Sequence, residues 1–249
     1  MRDSFKLRIQ SSLVVGLIVV VTLGVPQLFW LNRLLFLGAT IMAMLEIVAA
    51  YRSPSRLKPV GVYDDRFLSN LPTDTTLFYI VMEIAVVIGG GLSYYFLYDR
   101  WAVTVIIIGC VTCDTCAYCI GKLIGHKFIS SKPFPEISPK KTWEGTIGGI
   151  ICSIFAVALL HICTGRTTAL GSQFGLVALF FTGILCVVGD VIASLTKRLL
   201  DIKDSSDCIH DHRFLKYPEK IMRGFGGYLD RIDSTCLVCL ALSLTQSSH

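Results

Sequence analysis

Long apolar runs separated by short, charge-bearing segments dominate the chain. About seven runs approach the roughly 20 apolar residues that a bilayer-crossing helix needs. They cover residues 12–30, 31–50, 77–98, 101–122, 145–163, 174–197 and 231–246. The lysines and arginines between them are unevenly placed. The N-terminal tail holds three, 51–76 four, 122–143 five and 197–231 eight, whereas the alternate connections hold only Arg33, Arg100 and Arg166. With seven spans, the rich and poor segments fall on opposite sides, and the basic side is the cytoplasmic one. The expectation is therefore an all-α, polytopic integral membrane protein of about seven transmembrane helices. It would lie multi-pass in a cell inner or plasma membrane, with a cytoplasmic N-terminus and a cytoplasmic-face active site.

Composition agrees with this reading. Hydrophobic residues make up 53% of the 249 and charged residues 16%, where a soluble domain carries about 25% charged. Met1 to Arg8 is basic and precedes an apolar stretch, as in a secretory signal. The run from Ser12 to Trp30 is too long for a signal core and lacks a small-residue cleavage site, so it reads as an uncleaved first span. Pro26, Asn32 and Arg33 mark a turn between the first two spans. The ten cysteines lie mostly inside apolar segments and read as small buried hydrophobes rather than a disulfide framework. Cys110, Cys113, Cys116 and Cys119 form C-x2-C-x2-C-x2-C, but steps of three on a helix drift by about 60° per repeat. One iron–sulfur cluster could not take all four.

Ionisable residues in or beside apolar spans point to function. Asp190 is flanked by Val187-Val188-Gly189 and Val191-Ile192-Ala193. Ser194, Lys197 and Arg198 follow at i+4, i+7 and i+8, on one helical face. Such a stripe suits a metal-bound phosphate, or else an Asp190–Arg198 or Asp190–Lys197 pair that neutralises the helix. Gly224-Phe225-Gly226-Gly227 leads into Asp230, Arg231 and Asp233. Glycines admit phosphate close to the backbone and paired carboxylates hold divalent cations, although acidic residues at a helix start are also ordinary capping. Asp114-Thr115-Cys116-Ala117-Tyr118 interrupts another span. Ser138-Pro139-Lys140-Lys141-Thr142-Trp143-Glu144-Gly145 opens the next, where paired lysines suit phosphates or lipid headgroups, or serve as a topology signal. A transporter would place Asp114 and Asp190 near the midplane with access from both sides. Here all four clusters gather toward the basic side, which favours metal-assisted chemistry on a phosphate ester.

These residues resemble the motifs of phosphatidate cytidylyltransferases (CDP-diacylglycerol synthases). The match runs through Ser194-x-x-Lys197-Arg198-x-x-x-x-Lys203-Asp204 and Gly226-Gly227-x-x-Asp230-Arg231-x-Asp233. Two earlier segments, Asp114-Thr115-x-Ala117-Tyr118 and Ser138-Pro139-Lys140-Lys141-Thr142-x-Glu144-Gly145, also match, in the family's order. The resemblance covers roughly 110–235. It separates N-terminal spans (1–100) from a catalytic membrane region (101–249). It implies joining of CTP to phosphatidic acid, with pyrophosphate released and CDP-diacylglycerol formed for phospholipid biosynthesis. It further implies Mg2+ at Asp190 and Asp230, a second cation such as K+, membrane-lipid contacts and a homodimer, with no nucleic acid. Lys197, Arg198 and Arg231 would act with these aspartates on the reacting phosphates. Asp114, Lys140, Lys141, Ser194, Lys203, Asp204, Gly226, Gly227 and Asp233 would bind or support substrate. A related CTP transferase on another lipid phosphate, or an inactive member, is the alternative. Two features depart from the pattern. Phe225 stands where the family usually has histidine, and the stretch from Asp204 to Gly226 is longer by about a dozen residues, with His210 and His212 in it.

Overall fold

The computed structural model describes residues 14, 16–52, 73–96, 100–164, 174–200 and 227–246. Every regular element among them is helical. Helix α1 covers 16–24, and a 3-10 turn at Pro26–Leu28 follows. The long helices are α2 (Phe29–Arg52), α3 (Thr73–Phe96), α4 (Arg100–Ile124), α5 (Trp143–Thr164), α6 (Phe174–Leu199) and α7 (Leu229–Gln246). Among the described residues, four segments are long and apolar enough to cross a membrane: Pro26–Tyr51, Thr76–Phe96, Arg100–Ile124 and Trp143–Thr164. They coincide with four of the expected spans.

The described helices divide into two compact units. One comprises Met1–Tyr95 and Leu195–Asp233, the other Phe96–Ser194 and Ser234–His249. In the first, the break after α1 falls at Val25–Leu28, earlier than the sequence suggested. Proline has no N–H to continue the helix ladder, so Pro26 ends α1, while Asn32 and Arg33 lie within α2. Asn32 is buried because it has partners on both sides. Its Nδ2 donates to Thr22 Oγ1 at 2.9 Å and its Oδ1 accepts from Tyr94 Oη at 2.5 Å. Arg33 donates through Nε to the Tyr95 carbonyl and stacks over the Tyr95 ring, 4.9 Å from its centroid.

The second unit is organised by a close helix pair. On α4, Gly109, Cys113, Ala117 and Gly121 recur every fourth residue, as do Gly145, Gly149 and Ser153 on α5. Small residues at this spacing let two membrane helices approach backbone to backbone. A Cβ placed on Gly149 would lie 2.7 Å from the Cys113 carbonyl oxygen, and one on Gly145 2.6 Å from that of Ala117. Ser153 Oγ donates across the seam to the Gly109 carbonyl at 2.9 Å. The cysteine run is thereby explained. All four cysteines ride on continuous α4, with Cys110 and Cys113 buried, Cys116 half-buried and Cys119 exposed.

Candidate active site

The segment from 125 to 145 shows how one motif is built. Gly125 N–H closes α4 onto the Gly121 carbonyl, and His126 takes a left-handed φ of 63°. Lys141 N–H donates to the Ser138 carbonyl at 3.1 Å. This is a four-residue turn whose second position is proline, which pre-sets the required φ. Thr142 then caps α5, accepting the Gly145 N–H on Oγ1 at 3.1 Å. Serine, threonine and aspartate favour that position because the first N–H groups of a helix lack acceptors. Glu144 Oε1 accepts the N–H groups of Phe128 and Ile129 at 3.0 and 2.9 Å, tying the start of the loop to the start of the helix. Gly145 and Gly149 supply the close approach to α4. Each of these residues therefore has a local reason to be what it is.

The outcome is the placement of Lys141. Its Nζ lies 2.6 Å from Asp190 Oδ2, and Ser194 Oγ approaches Asp190 Oδ1 at 3.4 Å. Asp190 is thus paired with a lysine from the α4–α5 loop rather than with Lys197 or Arg198 of its own helix. Lys140, beside it, is exposed. Asp114 on α4 meets Cys186 of α6, whose thiol approaches Oδ1 at 3.4 Å. The ligand atoms of Cys113, Asp114 and Cys186 lie within 4.8 Å of one another. The Cys113 and Cys186 sulfurs also lie 3.7 and 3.8 Å from the Gly183 and Cys110 carbonyl oxygens.

In the other unit, Lys197 Nζ lies 2.5 Å from Asp230 Oδ1. Asp230 sits in the first turn of α7, where the helix dipole favours negative charge. Asp233 is one turn on and buried, while Arg231 is exposed. Two carboxylates were not singled out from sequence. Glu46 on α2 and Glu83 on α3 are each only 1% exposed. Glu46 accepts the N–H groups of Tyr228 and Leu229 at 2.9 and 3.0 Å. Glu83 lies within electrostatic reach of Lys197, and its Oε2 has no hydrogen-bond partner among the described residues. A lone acid inside an apolar run was the available signal. Gly227 is buried at the entry to α7. Lys203, Asp204, His210, His212, Phe225 and Gly226 lie outside the described residues.

The chain is 30% identical over 164 residues to a phosphatidate cytidylyltransferase of Bacillus subtilis, covering 63% of this chain and 54% of that protein. It is 32% identical over 176 residues to one of Staphylococcus saprophyticus, covering 67% and 57%. It is 36% identical over 141 residues to the chloroplastic phosphatidate cytidylyltransferase 4 of Arabidopsis thaliana, covering 56% and 31%. The chain thus spans about half the length of the two bacterial relatives. No solved structure matches it. The model of the cytidylyltransferase family matches residues 73–248, a stretch that holds all four motif clusters, and the chain belongs to that family.

Proposed function

We propose that the protein transfers the cytidylyl group of CTP to phosphatidic acid, forming CDP-diacylglycerol and pyrophosphate. The observation that carries this reading is the pairing of motif aspartates with motif lysines, Asp190 with Lys141 and Asp230 with Lys197. Two anions must meet in the reaction, and groups that exchange a carboxylate partner for a phosphate are suited to bring them together. A lipid phosphate oxygen forms a bond to the α-phosphorus of CTP. The bond from that phosphorus to the bridging oxygen of the β-phosphate breaks, and pyrophosphate leaves with the electron pair. No side chain need act as a covalent nucleophile, which leaves Ser194 as a hydrogen-bonding partner of Asp190.

Lys141, Lys197, Arg198 and Arg231 offset the phosphate charge, and Lys140, Lys203 and the Gly226-Gly227 backbone add contacts to substrate. Asp114, Asp204 and Asp233 support the arrangement. Asp190 and Asp230 would hold magnesium, with K+ as a second cation. Each aspartate is a partly exposed carboxylate, an oxygen donor of the kind a hard ion takes. Bound there, magnesium would neutralise charge on the reacting phosphates. The reading places seven spans in a cell membrane, with the N-terminus and the active site on the cytoplasmic side, because the lysines and arginines gather there. A homodimer belongs to the same reading.

The test is magnesium-dependent formation of a CDP-lipid from labelled CTP by the purified protein in detergent. Phosphatidic acid is expected to be the acceptor. Product only with another lipid phosphate, such as an isoprenoid ether lipid, would move the substrate assignment. No product with any lipid phosphate would refute the enzyme.

A further inference from the structure

Glu46 belongs to α2, ahead of the residues 73–248 that match the family. It is a carboxylate in an apolar helix, 1% exposed, which is a costly placement unless the charge is met. Each oxygen accepts a backbone N–H from the start of one helix. Oε1 accepts the Tyr228 N–H at 2.9 Å and Oε2 the Leu229 N–H at 3.0 Å, from 182 and 183 residues away. These N–H groups open α7, and a helix leaves its first donors without acceptors of its own. The local sequence cannot supply one. Tyr228 occupies the capping position, where its side chain is not a capping type, and Gly226-Gly227 before it have no side-chain acceptor. Paired charge-assisted hydrogen bonds at the positive end of a helix dipole are among the stronger polar contacts available.

The residue after this anchor is Asp230, whose Oδ1 holds Lys197 at 2.5 Å. We infer that Glu46 is a positioning residue for the nucleotidyl transfer. It clamps the first turn of α7 and so fixes where Asp230 presents its carboxylate, without touching substrate itself. This inference rests on the function proposed above. It makes an N-terminal helix outside the family match part of the catalytic machinery.

The experiment compares full-length wild type with Glu46→Gln in detergent. Glutamine keeps the shape but presents an NH2 group to one of the two donors. The expected result is a kcat per folded molecule about tenfold lower or more, with KM for phosphatidic acid within about twofold. Amide exchange at Tyr228 and Leu229, followed by mass spectrometry, should accelerate by about tenfold. Wild-type kcat, or unchanged exchange at both amides, would overturn the inference. So would a loss of activity that only tracks a loss of folded protein, because a purely structural contact leaves kcat per folded molecule alone. If Glu46→Gln is not recovered folded, Glu46→Asp replaces it; it keeps the charge but is one methylene too short to reach both donors. The same kcat loss is expected, and wild-type kcat there is equally decisive against the inference. Should wild type itself form no CDP-lipid, the proposed function fails and the positioning role with it. The exchange data would still decide whether Glu46 anchors the helix.

Discussion

Replacing Gly149 by alanine adds one methyl group at a backbone-to-backbone contact of the α4–α5 seam. Its Cβ would lie 2.7 Å from the Cys113 carbonyl oxygen and 2.8 Å from the Ala117 Cβ, where ordinary contact begins at 3.4 Å. The nearest obstacle is backbone, so no rotamer change relieves it. The helices must part by about 0.7 Å, and a gap of that size forfeits roughly a quarter to a half of each dispersion contact along the seam. The Ser153–Gly109 hydrogen bond, now 2.9 Å, lengthens toward the limit of usefulness at a cost of about 1 kcal/mol. Together these losses come to about 2–4 kcal/mol. Alanine returns about 1 kcal/mol through its better helix propensity, leaving a net destabilisation of about 1–3 kcal/mol. Gly38 on α2 is the matched control, because a Cβ there meets nothing within 4 Å. Thermal unfolding in mild detergent should show Gly149→Ala melting below wild type and Gly38→Ala at or above it. A Gly149→Ala protein as stable as wild type would refute the close-packed seam, since propensity alone predicts a gain.

Four further outcomes are expected. Tyr94→Phe removes the donor to Asn32 Oδ1 at a site only 1% exposed; the orphaned amide should cost about 1–3 kcal/mol in the same unfolding assay. Asp230→Ala should lower magnesium-dependent CDP-lipid formation by at least about a hundredfold, and activity surviving unchanged would remove Asp230 from the metal assignment. Glu144→Ala frees the Phe128 and Ile129 N–H groups and should loosen the loop that carries Lys141. Exchange at those two amides should rise and kcat fall, with Glu144→Gln milder because its amide oxygen can still accept. Phe225→His introduces the residue that the resemblance implies at this position and should leave turnover unchanged or raised. A large loss would show that Phe225 is adapted to the longer Asp204–Gly226 stretch.

Apolar length and proline chemistry are local properties, and they were legible in the chain. Runs of about 20 apolar residues announce helices wherever they occur, and Pro26 ends α1 because it lacks an N–H. The Gly109–Cys113–Ala117–Gly121 and Gly145–Gly149–Ser153 ridges were equally present in the sequence. Their meaning depends on facing each other, which a list of residues does not specify. The same holds for the charges. Helical spacing fixes only a residue's neighbours on its own helix, so it offered Asp190 the partners Lys197 and Arg198. In the fold, a Pro139 turn and the Thr142 cap bring Lys141 to Asp190, and Lys197 meets Asp230. Glu46 shows the limit most clearly. The sequence marks it as an acid in an apolar run, but its partners are backbone N–H groups 182 and 183 residues away. Backbone donors carry no side-chain signature, so only the tertiary structure could show which helix start this carboxylate serves.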